Sequence, residues 1–185
     1  MKCFAKAGYP EASIAAITGE AGVAHGTFYV HFPSKDALLD ELLAEFNTGL
    51  VARLAPIWTS SDTDALPEQL EATAGAFLDY WSERREFVET YAQKVAQGIS
   101  ITELREGLAA VVAELLVQRL RSMVDVLEAP LPHAELVVQS LLAMWARVGL
   151  HHLFTDRIDR EQAVGLLTRM TLGALRELLP PGAIQ

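Results

Sequence analysis

The stretch HGTFYVHF, residues 25–32, holds the side chains whose types and spacing could do chemistry. At about 100° per residue in a helix, Gly26 and Val30 face away from Phe28. Lys35 follows shortly after, and its ammonium suits a phosphate oxygen. The pattern therefore predicts a short helix with a small, polar outward face that can bind anions or the edges of bases. Three hydrogen-bonding residues flank that face: His25, Thr27 and Tyr29.

A first helix must come before this face and support it. Ser13 can cap that helix and Gly22 can end it. The break at residues 22–24 has the length of a tight corner between two helices, and Val23 is expected to fill the angle. The inward side of the first helix is predicted to carry apolar residues at helical spacing: Ile14, Ile17 and Ala21.

The second helix, roughly residues 25–31, is too short to persist alone in water. Phe28 and Phe32 are four residues apart, so both should point toward the first helix and hold the pair together. Ser34 can cap a third helix whose first turn carries Lys35, where a cation is unfavourable unless an anion binds nearby. The spacing predicts a helix-turn-helix that presents its second helix to a groove of DNA. An ordinary helical corner explains the same spacing.

The run GYPEASIAAITGEAGVAHGTFYVHFPSKDALL, residues 8–39, resembles the N-terminal DNA-binding signature of the TetR/AcrR family of transcriptional regulators. The resemblance covers about the first 45 of the 185 residues. The rest shows the helical character expected of that family's variable ligand-binding domain. By position, the resemblance implies that His25, Gly26 and Val30 read base edges. It also implies backbone contacts from a second set: Ser13, Thr27, Tyr29, His31 and Lys35.

The sequence departs from the family pattern at three places. Ala24 occupies a position often held by a capping serine, which should weaken the helix start by roughly 1 kcal/mol. Ala15 has no side chain with which to hydrogen-bond DNA. The family normally has one or two further helical turns before the position of Cys3. We therefore expect either a missing segment before Met1 or an unusually short first helix.

The composition predicts an all-α fold, because 51% of the residues are hydrophobic and alternating β-branched runs are nearly absent. Together with the resemblance, it implies an N-terminal three-helix helix-turn-helix DNA-binding domain over residues 1–45. A C-terminal helical effector-binding and dimerisation domain is expected over residues 46–185. The single cysteine, Cys3, excludes an intrachain disulfide and suits a reducing compartment. No segment has the pattern of an export signal or a membrane span, so we expect a cytoplasmic protein without a membrane partner.

The net charge of −9 is unevenly distributed along the chain. Residues 1–35 carry three lysines and two glutamates, so the remainder holds a net charge of −10. The acidic part thus lies away from the candidate DNA-binding face and should repel DNA elsewhere. Because the basic excess is small, we expect weak non-specific binding, dependence on a dimer and a shallow salt dependence for each subunit.

Further helices are predicted along the rest of the chain. A loop is expected at residues 59–64, and Pro67 is placed to open the helix after it. Ser100 with Glu103, and Asp159 with Gln162, have the spacing of capping boxes. The predicted helices cover residues 35–58, 67–83, 85–98, 100–127 and 133–154, with a last one after Asp159 that ends before Pro180.

The last two helices are apolar on more than one side, over residues 136–153 and 164–175. A helix packed only on its own core needs a single apolar stripe, so the excess predicts a second partner, unless both helices are central in a larger core. The family resemblance implies that they pair with their copies in a four-helix homodimer interface. Two recognition helices would then meet half-sites of a palindrome about 34–36 Å apart. Three glycines would permit close approach there: Gly149, Gly165 and Gly173.

Aromatic residues near the ends of the predicted helices could line a cavity. By resemblance, such a cavity would hold a small, mainly apolar effector whose binding releases a double-stranded DNA operator. Plain core packing is the alternative for each of them. Arg147 and His151 share one side of a helix with Ser140 and could orient a polar group of the effector or bond across the dimer. The other candidates are Trp58, Phe77, Tyr80, Trp81, Phe87, Tyr91, Met123 and Trp145.

Patterns typical of enzymes are weak in this sequence. His152 and Asp156 have metal-ligand spacing but lack a third ligand, and no glycine-rich phosphate loop or serine elbow is present. No cofactor or metal is therefore expected. The sequence predicts a ligand-responsive, homodimeric DNA-binding regulator, and we expect a repressor rather than an activator. The alternatives are a helical ligand-binding or scaffold protein that has lost DNA binding, and a small helical enzyme.

Overall fold

A computed structural model describes residues 3–4, 8–59, 66–96, 112, 134–155 and 157–178, and all structural statements refer to these. The described residues contain helices and turns but no strand, which confirms the all-α prediction. Apart from Val112, the helix predicted over residues 100–127 lies outside the described residues. The helices are α1 (Ile14–Ala21), α2 (His25–His31), α3 (Lys35–Thr59), α4 (Leu66–Glu83), α5 (Arg85–Ala96), α6 (Ala134–Phe154) and α7 (Arg160–Leu178).

The helix boundaries near the N-terminus follow the predicted capping residues. Ser13 caps α1, because its hydroxyl oxygen accepts the N–H of Ala16 at 3.1 Å. Gly22 ends α1 in the left-handed conformation at φ 68°, which a residue with a Cβ adopts only at a cost. The Ser34 hydroxyl accepts the N–H of Ala37 at 3.1 Å at the start of α3. These caps satisfy backbone groups that helix ends would otherwise leave unpaired.

The start of α7 has the predicted capping box. The carboxylate of Asp159 accepts the N–H of Gln162 at 2.8 Å, and the Gln162 side chain accepts the N–H of Asp159 at 3.1 Å. Each residue thus satisfies a backbone donor of the other, which fixes where the helix begins.

The chain forms two compact units. The first unit comprises Met1–Thr48 and Glu83–Leu104, and the second comprises Gly49–Ser82 and Arg105–Gln185. The boundary predicted from the sequence falls after residue 45 and leaves residues 83–104 in the C-terminal domain. The compact first unit instead includes that segment, so it is built from two separate stretches of the chain.

The core of the first unit joins those two stretches. Phe46 of α3 stacks on Phe87 of α5, with ring centroids 4.6 Å apart and an interplanar angle of 26°. Phe4 and Tyr9 are almost fully buried, and their ring centroids are 5.5 Å apart. Such aromatic pairs each bury a large apolar area, and this stabilises a small unit.

The second unit is built around α4, α6 and α7. Helices α6 and α7 pack against each other, and the indole N–H of Trp145 donates to the hydroxyl of Thr171 at 3.0 Å. At the surface, the guanidinium of Arg160 makes two hydrogen bonds to the Asp79 carboxylate, each 2.8 Å long. These bonds lower the pKa of Asp79, although both partners are about half exposed, so their contribution to stability is small.

Among the helices that the structure describes, none combines the length and the apolar character needed to cross a membrane.

Candidate nucleic-acid interface

Helix α2 is held by its aromatic side. Phe28 is 5% exposed and Phe32 is half-buried, and the two ring centroids lie 5.6 Å apart. Helices α1 and α2 pack against each other, as the four-residue spacing of these rings predicts. A helix of seven residues gains its stability from this packing rather than from its own hydrogen bonds.

The corner between α1 and α2 is closed by the backbone rather than by Val23. The prediction that Val23 fills the angle is wrong, because its side chain is 44% exposed. The left-handed Gly22 instead lets the N–H of Val23 reach the carbonyl of Thr18 at 3.0 Å. The inward side of α1 also differs from the prediction, since Ala21 is exposed and Thr18 is 4% exposed. The Thr18 hydroxyl can be buried because it bonds the carbonyl of Ile14 at 3.0 Å.

The outward side of α2 is open to solvent. Tyr29 is 54% exposed and Val30 is 78% exposed. A Cβ built on Gly26 would meet nothing within 4 Å, so the backbone there can be approached closely. The predicted base-reading and backbone-contacting residues of α2 are therefore all accessible to solvent, and the N-cap residue Ser13 is exposed as well. The exposed set, which we call the α2 face, is His25, Gly26, Thr27, Tyr29, Val30 and His31.

The α2 face is chemically suited to a polyanion. Its sequence, HGTFYVH, contains no carboxylate, so nothing on the helix repels a phosphate. The rings of His25 and Tyr29 lie edge to face with centroids 5.6 Å apart, which restricts both side chains. Hydroxyl, phenol and imidazole groups can then donate hydrogen bonds to phosphates and bases.

Lys35, predicted to contact the DNA backbone, is differently placed. Its ammonium donates to the backbone carbonyls of Tyr9, Pro10 and Ala12 at 2.8, 3.1 and 3.0 Å. The same nitrogen lies 4.7 Å from the centroid of the Tyr9 ring. An ammonium has three N–H donors, and these three bonds use all of them. This geometry favours a structural role for Lys35 over a phosphate contact.

Tyr9 is the centre of a polar cluster that sequence reasoning missed. Its N–H donates to the side-chain oxygen of Gln93 at 3.0 Å, and its phenol donates to the carboxylate of Asp36. The side chain of Lys94 is 3% exposed and its ammonium lies 3.4 Å from Asp36 and 3.1 Å from Asp40. One signal pointed to Lys94: it follows the apolar residue 87 by seven positions and so shares the buried side of α5.

The cluster shifts the pKa of two of its members. Burial and the bond to Asp36 raise the pKa of the Tyr9 phenol. The same bond is the main cause of the lowered pKa of Asp36, and the ammonium groups of Lys94 and Lys35 contribute to it. Both shifts favour the protonated phenol and the ionised carboxylate, which is the state in which their hydrogen bond forms.

The second unit contains a cavity of about 100 Å³ with an almost wholly apolar surface. Its two threonines are already bonded within the protein. Thr73 donates its hydroxyl to the carbonyl of Gln69 at 2.6 Å, and Thr171 accepts the indole N–H of Trp145. The cavity therefore offers van der Waals contact and little hydrogen bonding. It is lined by Leu50, Val51, Leu54, Trp58, Leu70, Thr73, Phe77, Val112, Val138, Leu141, Leu142, Trp145 and Thr171.

One comparison with known proteins concerns the N-terminal residues of the chain. Residues 1–42 match the family described as bacterial regulatory proteins, tetR family. These N-terminal residues are similar to that family. This agrees with the resemblance carried by residues 8–39, and it places the α2 face in the part of the chain that the family match covers.

Individual relatives agree with this assignment. The chain is 36% identical over 63 residues to the uncharacterized HTH-type transcriptional regulator YuxN of Bacillus subtilis. That stretch is 34% of this chain and 22% of the relative, so the chain spans about a fifth of the length of the curated protein it matches. The family and this relative are described as regulators, which supports the prediction that the chain is not an enzyme.

Two solved structures share the fold over nearly the whole chain. The fatty acid degradation regulator FadR from Bacillus halodurans is 20% identical, with 93% of each chain covered and a TM-score of 0.72. The regulator FadR from Bacillus subtilis, in complex with stearoyl-CoA, is 18% identical and has a TM-score of 0.69. That comparison covers 100% of this chain and 95% of the other. At these identities the likeness shows the fold alone.

The residues predicted to bind an effector lie in several different parts of the structure. Trp58, Phe77 and Trp145 line the cavity. Tyr80 and Trp81 are buried in the second unit but do not line it. The remaining candidates lie elsewhere: Phe87 and Tyr91 stack on each other in the first unit, Arg147 is exposed, His151 is half-buried, and Met123 lies outside the described residues.

The aliphatic residues of the lining were not singled out from the sequence. In composition and spacing they look like any helix core, so no sequence signal distinguishes them.

The surface of the last two helices retains exposed apolar groups. Leu136 is 61% exposed on α6 and Met170 is 45% exposed on α7. A Cβ on Gly173 would meet nothing within 4 Å. Gly149 differs from expectation, because it is buried and a Cβ there would lie 3.0 Å from Trp81 of the same chain. Its small size therefore serves packing inside the second unit, not an approach by a second copy.

Among the described residues, no group of three or more histidine, cysteine, aspartate or glutamate side chains is arranged to hold a metal ion. Cys3 is half-buried, and its thiol donates to the carbonyl of Ala16 at 3.1 Å.

Proposed function

We propose that this protein is a DNA-binding transcriptional repressor of the TetR family, which acts as a homodimer and is released by an apolar effector. The observation that carries the proposal is the α2 face. A seven-residue helix is fixed from behind by Phe28 and leaves its polar, carboxylate-free side open to solvent. A helix with such a face fits the major groove of B-form DNA, which is about 12 Å wide.

The α2 face divides into groups that read sequence and groups that bind the backbone. His25 can bond the edge of a base, and the methyl groups of Val30 can contact the methyl group of a thymine. Gly26 lets the backbone approach the floor of the groove. The phosphate contacts come from Ser13, Thr27, Tyr29 and His31, which fix the position and register of the helix.

Homodimerisation rests on the exposed apolar groups of α6 and α7. Leu136 and Met170 are large apolar side chains that a monomer leaves in water. Covering them with a twofold-related copy buries the same patch on both subunits. Two α2 faces then act together on a palindrome, which compensates for the small basic excess of each first unit.

The effector we propose inserts an apolar group, of the kind of a fatty acyl chain, into the cavity of the second unit. The cavity lining is apolar, and both of its threonines are engaged within the protein. An acyl chain has no polar group that such a lining would leave unpaired. The FadR structure with stearoyl-CoA supports this class, because that protein shares the fold.

The size of the cavity links effector binding to conformation. At about 100 Å³ it is smaller than the roughly 300–1,000 Å³ typical of drug-sized ligands. An acyl chain too large for this volume would therefore bind best to an expanded form of the second unit. If that form holds the α2 faces at a spacing unsuited to the operator, effector binding lowers occupancy of the DNA by the difference in affinity.

The proposed DNA binding is tested with a DNA duplex taken from upstream of the protein's own coding region. Fluorescence anisotropy at several salt concentrations should show sequence-specific binding that weakens as salt rises. Tyr29→Ala should weaken binding to all sequences. His25→Ala should lower discrimination at one base position more than overall affinity, at a cost of about 1–3 kcal/mol there. Glu161→Ala, at an exposed position of α7, is the control and should bind as the parent does.

Two results would contradict the proposal. If neither this chain nor a version extended upstream of Met1 shows salt-sensitive, specific binding, a helical ligand-binding protein without DNA function is favoured. If acyl-CoA thioesters of increasing chain length neither bind nor release DNA, the effector class is wrong while the DNA-binding arm stands.

A further inference from the structure

We propose that Lys35 and Lys94 are positioning residues for the helix-turn-helix. They act by holding the segment around Tyr9 and not by binding phosphate. The inference rests on the proposed function, because it concerns how the first unit holds the α2 face. It changes the role that a cation next to a recognition helix would ordinarily be given.

Lys35 is committed to the protein backbone. Its three bonds run to carbonyls of Tyr9, Pro10 and Ala12, in the segment that leads into Ser13, the N-cap of α1. The side chain is half-buried, so these carbonyls are partly shielded from water. Turning the ammonium toward a phosphate would leave three acceptors without a donor, a cost that one phosphate contact does not offset.

Lys94 is more deeply enclosed. With a side chain 3% exposed, its ammonium has the carboxylates of Asp36 and Asp40 at 3.4 and 3.1 Å. It also lies 5.8 Å from the centroid of the Tyr9 ring. A buried cation is tolerated when it is paired and hydrogen-bonded in this way. In return it neutralises two acidic groups on the first turns of α3, which would otherwise repel DNA from the first unit.

Gln93 completes the attachment without any charge. Its side-chain oxygen accepts the N–H of Tyr9 at 3.0 Å, and a Cβ on Gly8 would lie 3.2 Å from the same oxygen. Gly8 has φ 76°, so the segment makes a tight turn directly against α5. Helix α5 and the start of α3 therefore both form hydrogen bonds to residues 8–12. Helix α1 begins at the end of that segment.

The test compares three variants with a charge-matched control. Lys35→Met and Lys94→Met each remove one cation that is bonded within the protein, and Gln93→Met removes the acceptor for the Tyr9 N–H at unchanged charge. Arg157→Met removes one positive charge at an exposed position between α6 and α7. Two readouts are taken: operator affinity as a function of salt, and hydrogen exchange of the Tyr9 and Ala12 amides in the absence of DNA.

We expect all three variants to speed amide exchange at residues 9 and 12 by at least about tenfold, since a bond to a charged or buried group is lost. Operator affinity should fall by at least about tenfold, while the slope of log affinity against log salt stays that of the parent. Gln93→Met keeps the test decisive if Lys94→Met fails to fold, because it leaves Lys94 paired with Asp36 and Asp40. Arg157→Met should change neither readout.

Other outcomes overturn the inference. A slope for Lys35→Met that is lower by about 0.9, with amide exchange unchanged, means that Lys35 neutralises a phosphate. Unchanged exchange in all three variants means that the segment is held by other contacts. If the parent protein binds no DNA, the proposed function fails, yet the exchange experiment still decides whether these residues hold the segment.

Discussion

The phenol of Tyr9 donates a hydrogen bond to the carboxylate of Asp36, a residue 27 positions further along the chain in the first turn of α3. The bond ties the segment before the helix-turn-helix to the helix after it. It also couples stability to pH, because it is the main cause of the lowered pKa of Asp36.

Replacing Tyr9 with phenylalanine should make the free energy of unfolding fall less steeply as the pH decreases into the acidic range. Asp36 has a lowered pKa in the folded protein, so its contribution is complete above the unfolded value of about 3.9 and is lost as the pH falls through the folded value. The Asp36 side chain is 56% exposed, so we expect a difference below about 1 kcal/mol. Urea unfolding over acidic pH values, with carboxyl chemical shifts for the pKa of Asp36, measures it.

Tyr29→Phe is the matched control for that experiment, because Tyr29 is 54% exposed and no hydrogen bond of its phenol contributes to the cluster. Identical acid branches for Tyr9→Phe and Tyr29→Phe would contradict the coupling.

A pair of glycine substitutions should separate stability from DNA affinity. Gly22→Ala forces a Cβ into the left-handed conformation at φ 68° and should cost about 1 kcal/mol of unfolding free energy. Gly26→Ala lies in a helix with open space around its Cβ and should stabilise α2 by about 0.5 kcal/mol. The new methyl group nevertheless stands on the α2 face, so operator affinity should fall. Thermal unfolding and anisotropy give the two quantities, and equal affinity for Gly26→Ala and the parent would argue against groove insertion.

Filling the cavity should abolish the response to effector while leaving DNA binding intact. Val138 lines the cavity and is 2% exposed, so Val138→Phe places a ring in the space that the acyl chain would take. Overpacking of this kind should lower the free energy of unfolding by roughly 1–3 kcal/mol. Val164→Phe is the control, since Val164 is also buried in the second unit but does not line the cavity. Release of operator by acyl-CoA should persist in Val164→Phe, and its persistence in Val138→Phe would place the effector elsewhere.

A charge on the apolar surface of α7 should convert a dimer into monomers. Met170 is 45% exposed, and Met170→Glu would put a carboxylate into the proposed interface, where two copies face each other across the twofold axis. Sedimentation velocity should show the change at unchanged helix content. Val23→Glu introduces the same charge at an apolar side chain of similar exposure in the first unit, and it should leave the assembly state as it is.

The local signals of this sequence predicted the helix-turn-helix well because each depends on neighbouring residues. The Ser13 cap, the Gly22 stop and the Phe28–Phe32 pair act within a few positions, and the structure confirms all three. The role of Val23 was misjudged, since the backbone N–H at a left-handed glycine closes the corner whatever side chain follows it.

Interactions between distant parts of the chain could not be predicted from the sequence. A cation at the start of a helix indicates an anionic partner, but backbone carbonyls are negative partners that no sequence pattern displays. Lys35 therefore pointed to phosphate although the carbonyls of residues 9, 10 and 12 take its donors. The place of α5 in the first unit depends on bonds such as Tyr9 to Gln93, 84 residues apart. The cavity was only partly predicted, because its aliphatic lining has the same composition as a core.

The two-part construction of the first unit has a practical consequence for protein engineering. Residues 1–48 do not make a transplantable cassette, because Phe46 would lose the ring of Phe87 and Tyr9 would lose Gln93 once residues 83–104 were left behind. A chimaera that borrows the specificity of this protein must carry both stretches, or rebuild the surface that α5 supplies.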